Sequence, residues 1–281
     1  MNLFRTYILF IILSLTSLTL YSCSGGGINL FSKQDDVELG KQVVDEMSAN
    51  PQEYPPFKGD PSIKTYIDQR IFQHIMASSK IAGKDVYPYQ IEILDKPDEL
   101  NAFALPGGYL YVYTGLLKYL DSEAALAGVL GHEIAHAALR HATNRMTAYY
   151  GVSMLASLIL GENPSQLAEI AANLFTGLAF LANSRSDENQ ADEYSFQYLQ
   201  DTRYYPGGVK FFFEKMRDDG LVSSKSDKIA TFLSTHPDPI DRISNTETRL
   251  RNAGLEIKTY TATGDGIFKD EYQANIKGKI K

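Results

Sequence analysis

His132-Glu133-Ile134-Ala135-His136 is the segment of this 281-residue chain where residue type and spacing speak most directly of chemistry. Residues four apart on a helix differ by about 40° around its axis, so both imidazoles face one point, while Glu133 lies about 100° round from His132. Two neutral ring nitrogens bind a divalent ion such as Zn²⁺, and the glutamate between them is free to take a proton from water at that ion. A catalytic site of this kind uses three protein ligands and keeps one position open. His141 is a poor third ligand, because nine residues beyond His132 on one continuous helix it faces the opposite side. The metzincin arrangement requires Gly at position 139 and His at 142, where the sequence has Leu139 and Ala142. A carboxylate from a separate helix remains. Glu188, within Ser184-Arg185-Ser186-Asp187-Glu188-Asn189-Gln190-Ala191-Asp192, is placed to supply it. Asp192, one turn later on the same face, is placed to accept the outer N–H of a ligand histidine and fix its tautomer. By spacing alone, such a Glu/Asp pair also fits a solvated helix face.

The elements that must hold these residues follow from periodicity. Asp35 to Met47 and Pro61 to Ser79 carry apolar residues at helical spacing and predict two leading helices, separated by a Pro-rich turn at Pro51 to Pro56. Tyr89 to Leu94 alternates like a half-buried strand, and Ala102 to Leu105 and Tyr109 to Tyr113 predict two more around Pro106-Gly107-Gly108, together a small antiparallel sheet. A helix over Asp121 to Thr143, capped by Asp121 or Ser122 with Glu123 in its first turn, carries the histidine pair. Two apolar stretches, Gly151 to Leu160 and Ala168 to Ala182, are broken by Gly161-Glu162-Asn163-Pro164 and are too short to span a membrane; they read as a buried or cleft-covering helical hairpin. Further helices are expected from Ser186 to Leu199, from Val209 to Asp218, and from Asp238-Pro239, as N-cap and N1, through Leu250. Beyond Gly254 the pattern weakens and predicts no element.

Composition narrows the classes. With 44% hydrophobic and 22% charged residues the chain is globular, and its net charge of −7 argues against a nucleic-acid partner, since its lysine-rich stretch is confined to Lys277 to Lys281. The single cysteine excludes an internal disulfide framework. Arg5 followed by the apolar run Tyr7 to Leu20 has the form of an export signal. Leu20-Tyr21-Ser22-Cys23 resembles a bacterial lipobox, in which the cysteine is acylated and becomes the new N-terminus. The expected division is residues 1–22 as signal peptide, 23–33 as lipidated Cys23 and Gly-rich spacer, 34–254 as the catalytic domain, and 255–281 as an unassigned tail. More than one acyl chain gives stable anchoring, so the expected location is the bacterial envelope, facing the periplasm and most simply on the outer membrane.

Together these segments resemble the M48 family of zinc metallopeptidases, gluzincins with HtpX-like and BepA-like members. Asn101-Ala102-Phe103-Ala104-Leu105-Pro106-Gly107-Gly108 is similar to the family's N-A-x-x-x-P-G-G segment, Gly131 to His136 to its zinc helix, and Ser184 to Asp192 to its S-R-x-x-E-x-x-A-D pattern. The resemblance implies an α+β, mostly α, zincin-like domain with the small sheet flanking the histidine helix. It further implies one Zn²⁺ held by His132, His136 and Glu188, Glu133 as general base, Asp192 behind the ligands, and Asn101, Ala102, Pro106, Gly107 and Gly108 along the strand that flanks substrate. Ser234 to Arg242 is similar to the family's late H-P-x-x-x-x-R stretch. His236 is then either an oxyanion stabiliser or a fourth, inhibitory ligand, and Arg242 assists with charge. No segment resembles the tetratricopeptide array of BepA-like members or the membrane helices of HtpX-like ones. The expected activity is endoproteolysis of unfolded or misfolded envelope proteins, with an extended substrate adding beside Tyr109 to Tyr113. The competing expectation is a metal-stabilised periplasmic chaperone without turnover; against it stands Glu133, for which a purely structural zinc has no use.

Overall fold

The structure, a computed structural model, describes residues 29–151, 183–224, 226–237 and 239–280. The export signal, Cys23, most of the spacer, the apolar hairpin beyond Gly151 and the Asp238 cap lie outside the described residues. Among the described residues no helix is long and apolar enough to cross a membrane.

Helix α1 (Lys33–Ala49) opens on a capping box in which Ser32 and Asp35 satisfy each other's backbone N–H groups. Helix α2 starts at Pro61–Tyr66, capped by Asp60 with proline at the first position, passes through a π-helical stretch (Ile67–Phe72) and ends at Gln73–Met76. Its Ile63, Ile67, Ile71 and Ile75 are fully buried, as the four-residue spacing predicts.

The sheet consists of β1 (Gln90–Leu94), β2 (Ala102–Leu105) and β3 (Tyr109–Tyr113) in the order β1-β3-β2. It is mixed rather than purely antiparallel. β2 and β3 form an antiparallel pair across the Pro106–Gly108 turn, whereas β1 runs parallel to β3 with Gln90 opposite Tyr109. The turn depends on glycine at position 107, where φ is +77° and an added Cβ would lie 2.7 Å from Cα of Val37 in α1. β3, with all five residues buried, is therefore central, and β2 is an edge.

Behind the sheet lies α3 (Thr114–Tyr119), followed by α4 (Glu123–Ala138), the histidine helix. Ser122 caps α4 by accepting from the N–H of Ala125, and every residue of α4 is buried. An apolar surface on all sides requires neighbours on all sides. These are α6 (Arg185–Gln200), α7 (Val209–Asp218), the sheet and the chain's C-terminal end. The histidine helix does not run on to Thr143. It stops at Leu139, Arg140 adopts the left-handed conformation (φ 61°, ψ 33°), and a separate helix α5 (His141–Tyr150) begins. Helices α8 (Ala230–Thr235) and α9 (Pro239–Asn252) complete the site, with His236 between them.

Residues 255–280, for which periodicity predicts no element, are folded onto the helical body. Ile267, Tyr272 and Ile276 are fully buried. The carbonyls of Phe268 and Ile267 accept from the N–H groups of Glu123 and Ala124, two of the donors that every helix N-terminus leaves unpaired.

Candidate metal centre and active-site cleft

α4 brings His132 and His136 onto one face, with their Nε2 atoms 2.9 Å apart. Glu188 reaches them from the first turn of α6, which Ser184 and Asp187 cap reciprocally. Its Oε2 lies 3.4 Å from His132 Nε2 and its Oε1 3.3 Å from His136 Nε2. The two helices hold this register because the Ser195 hydroxyl donates to the carbonyl of Gly128 at 2.9 Å. His236 closes the group at the end of α8: its N–H donates to the Phe232 carbonyl, its ring stacks on Phe232, and its Nδ1 lies 3.0 Å from Glu188 Oε1. One ligand atom from each of these four buried residues lies within 4.8 Å of all the others.

The chemistry of this donor set fits a metal ion. Two imidazole nitrogens, a carboxylate and a third imidazole converge at spacings of about 3 Å, as ligands about 2.0–2.2 Å from a shared ion require. The outward nitrogens already have partners: Nδ1 of His132 lies 2.9 Å from Asp192 Oδ1, and Nδ1 of His136 lies 2.8 Å from His141 Nδ1. With Nδ1 so engaged, each Nε2 lone pair turns inward, as a ligand histidine requires.

Arg242 lies beneath this group rather than in the cleft. Its guanidinium donates to both oxygens of Asp192, reaches Glu188 Oε2 at 2.6 Å, and covers the Phe213 ring. The charge of Arg242 thus acts on Asp192 and Glu188, where a planar fork holds two carboxylates at once. Burial pushes the Asp192 carboxyl up, but the Arg242 charge outweighs it and draws the group down to about 2. Burial likewise opposes ionisation of Glu188, yet the charges of His236 and Arg242 hold it well below the usual carboxylate range. For Glu133 burial outweighs the opposing influence of His236 and His132 and raises it above the ordinary glutamate value, the direction a proton acceptor near neutral pH needs.

The cluster opens onto a cleft of about 510 Å³ lined by Glu133, His136, Asn183 and His236 on one side and by Asn101 and Phe103 to Pro106 on the other. Of the residues expected along the substrate-flanking strand, Asn101 and Pro106 face the cleft. Ala102, Gly107 and Gly108 are buried and do not line the cleft; the glycines turn the chain against α1 and Tyr89. β3 is paired on both sides, so a strand cannot add beside Tyr109 to Tyr113; among the described residues no strand pairs with the outer edge of β2.

Two residues that sequence reasoning set aside or passed over belong to this site. On one unbroken helix His141 would face away from His132, but the break at Arg140 swings it back against His136. Arg140 sustains its left-handed backbone by a two-pronged pair to buried Asp36, with Nε 2.6 Å from Oδ2 and Nη2 3.1 Å from Oδ1, and by donating to the carbonyl of Ser32. The other is Asn183, whose Nδ2 lies 3.4 Å from His136 Nε2 and 3.3 Å from His236 Nδ1. An asparagine directly before a helix cap carries no periodic signal that would have singled it out.

A mostly helical domain with a small sheet edging a cleft, and a His-Glu-x-x-His helix facing a glutamate from a second helix, defines the zincin-like metallopeptidase class. Residues 64–250 match the family model described as Peptidase family M48, and the chain belongs to that family. It is 28% identical over 223 residues to the beta-barrel assembly-enhancing protease of Escherichia coli strain K12, covering 76% of this chain and 43% of that protein. To the mitochondrial metalloendopeptidase OMA1 of Schizosaccharomyces pombe it is 29% identical over 192 residues, covering 68% of this chain and 54% of that one. To the OMA1 enzyme of Arabidopsis thaliana it is 32% identical over 149 residues, covering 53% and 29%. The matched segments thus span about half or less of these relatives' own length.

Proposed function

We propose that this chain is a zinc-dependent endopeptidase of the bacterial envelope, tethered through Cys23 and acting on unfolded or misfolded proteins. The observation that carries the reading is the convergence of four buried ligand atoms with Glu133 on the cleft side of them. His132, His136 and Glu188 would hold the ion, with Asp192 and His141 fixing the ring tautomers and Arg242 fixing the carboxylate. Zinc in such a site acidifies water and polarises a carbonyl. Glu133 takes the water's proton and passes it to the departing amide nitrogen as the C–N bond breaks. The outer edge of β2 receives an extended substrate by main-chain hydrogen bonds, which give affinity with little sequence preference and so suit unfolded chains. His236, with Nδ1 among the ligand atoms, has the position of a fourth ligand that must yield before substrate enters.

The test is Glu133→Gln. The variant should bind zinc as the wild type does and lose casein cleavage by a factor of about 10² to 10⁴. Equal cleavage by the two proteins would remove Glu133 as the general base and with it this mechanism; no cleavage by the wild type with zinc bound would favour a metal-stabilised binding protein instead.

A further inference from the structure

We infer that Asn183 is a catalytic residue of the reaction proposed above, whose side-chain amide donates a hydrogen bond to the scissile carbonyl oxygen as that oxygen becomes negative. The inference rests on the peptidase reading, and on four features of this chain's own residues.

The first is where Asn183 points. Its Nδ2 lies between the inward nitrogens of His136 and His236, at 3.4 and 3.3 Å. The second is which side of the cluster it occupies. Asn183 shares the cleft wall with Glu133, whereas His132 and Glu188 lie deeper and do not line the cleft. A carbonyl entering from the cleft therefore meets the general base and this amide together. The third is the orientation of the amide. Asn183 Oδ1 accepts from Arg145 Nη1, and Arg145 is held in turn by Asp187 at 3.6 Å. With its oxygen engaged by a cation, the amide presents N–H rather than C=O to the cluster, so it is a donor to an oxygen and not a further metal ligand. The fourth is rigidity. The N–H of Asn183 donates to the Thr235 carbonyl at 3.0 Å, and the next residue, Ser184, caps α6, so the backbone is fixed between α6 and α8. A buried dipole set in place beforehand stabilises developing charge without reorganising during the step, which is what makes such donors effective.

The step balances without a further reactant. The water oxygen forms a bond to the carbonyl carbon, the C=O π pair moves onto the carbonyl oxygen opposite the Asn183 N–H, and the water proton goes to Glu133. The pair returns as the C–N bond breaks and the nitrogen takes that proton. Asn183 gives up no proton; it supplies a hydrogen bond that strengthens as charge grows.

The experiment compares the zinc-loaded full chain with Asn183→Ala and the near-isosteric Asn183→Leu, which keeps the shape and removes both donors without adding a charge. Zinc affinity, unfolding midpoint, kcat and KM on an unfolded protein, and binding of a peptide phosphonamidate that mimics the tetrahedral oxyanion are measured for each. Both variants are expected to lose kcat by about 10²-fold, with KM and zinc affinity held, and to bind the phosphonamidate weaker by a similar factor. An unchanged kcat in either folded variant overturns the inference. So does a loss that tracks weaker zinc binding, which would make Asn183 a support for His136 or His236. A wild type that binds zinc but cleaves nothing overturns the peptidase reading itself, and this inference with it.

Discussion

At the scale of single residues the site is organised in depth. The converging atoms of His132, His136 and Glu188 are each held from behind by a different group: Asp192, His141 and Arg242. Asp192 was legible in the sequence because it lies one turn from Glu188 on a face that a regular helix fixes. His141 was not, because its place depends on a backbone conformation, the left-handed Arg140, that no glycine or proline announces. Its function follows from the hydrogen bonds. When His136 turns its Nε2 lone pair inward, its Nδ1–H donates to His141 Nδ1, and the Nε2–H of His141 faces Gln190 Oε1 at 3.4 Å. Removing such an outer partner weakens metal binding by about 10- to 100-fold. His141→Ala is therefore expected to lose zinc to a competing chelator at correspondingly lower concentration while its far-UV circular dichroism stays that of the wild type. Undiminished affinity would mean that the Nδ1 proton of His136 finds an equivalent partner in water.

Elements bring polar atoms of these residues to between 2.8 and 3.4 Å of one another, and they do so through small side chains. Gly128 lets α7 approach α4 so closely that an added Cβ would lie 2.1 Å from the Val209 backbone nitrogen; at Gly131 it would lie 2.7 Å from Ser195 Oγ on α6. The sequence shows two glycines inside a helix, which propensity alone reads as weak points. What it does not show is that they are contact surfaces, because that depends on which helices become neighbours. The same limit applies to the sheet: alternation in β1 and the Pro106–Gly108 turn between the other two placed all three strands, yet pairing order and direction, and hence the edge that faces the cleft, are set by tertiary packing. Gly128→Ala should lower unfolding stability by about 1–3 kcal/mol, the range for overpacking a close-packed core, measured by urea denaturation. A stability equal to wild type would show that α7 can retreat freely from the histidine helix. In contrast, the types of the long helices were legible, since the apolar stripe of α2 is a local signal that nothing in the tertiary structure overrides, whereas limits such as the Ser184 cap of α6 and the break after Leu139 were not.

For the molecule as a whole, the residues that follow the last long helix decide how the histidine helix begins. Ile267, Tyr272 and Ile276 are too widely spaced among Thr, Gly and Lys for a periodic reading, so their burial against α3 and α4 emerges only in three dimensions. The seam is fastened by Asp121, just before the Ser122 cap, whose carboxylate pairs with Lys215 of α7 and, at 2.5 Å, with Lys277 near the C-terminus. Burial pushes the Asp121 carboxyl up, and the two ammonium groups outweigh it, so the folded chain holds this group below the ordinary aspartate value. A folded-state pKa depressed in this way contributes stability that is complete above the unfolded value of about 3.9 and is lost as pH falls from there through the folded value. Asp121→Asn should therefore be less stable than wild type at pH 7, by about 1–3 kcal/mol for two charge-assisted hydrogen bonds that are partly screened. That gap should narrow below about pH 4 and close at more acid pH, where the wild-type carboxylate is also neutral. Melting temperatures of both proteins across the acid range decide it: a gap that stays constant down to the lowest pH would mean that the asparagine disturbs packing at the seam, and that the two lysines hold the C-terminal segment by some means other than the charge on Asp121.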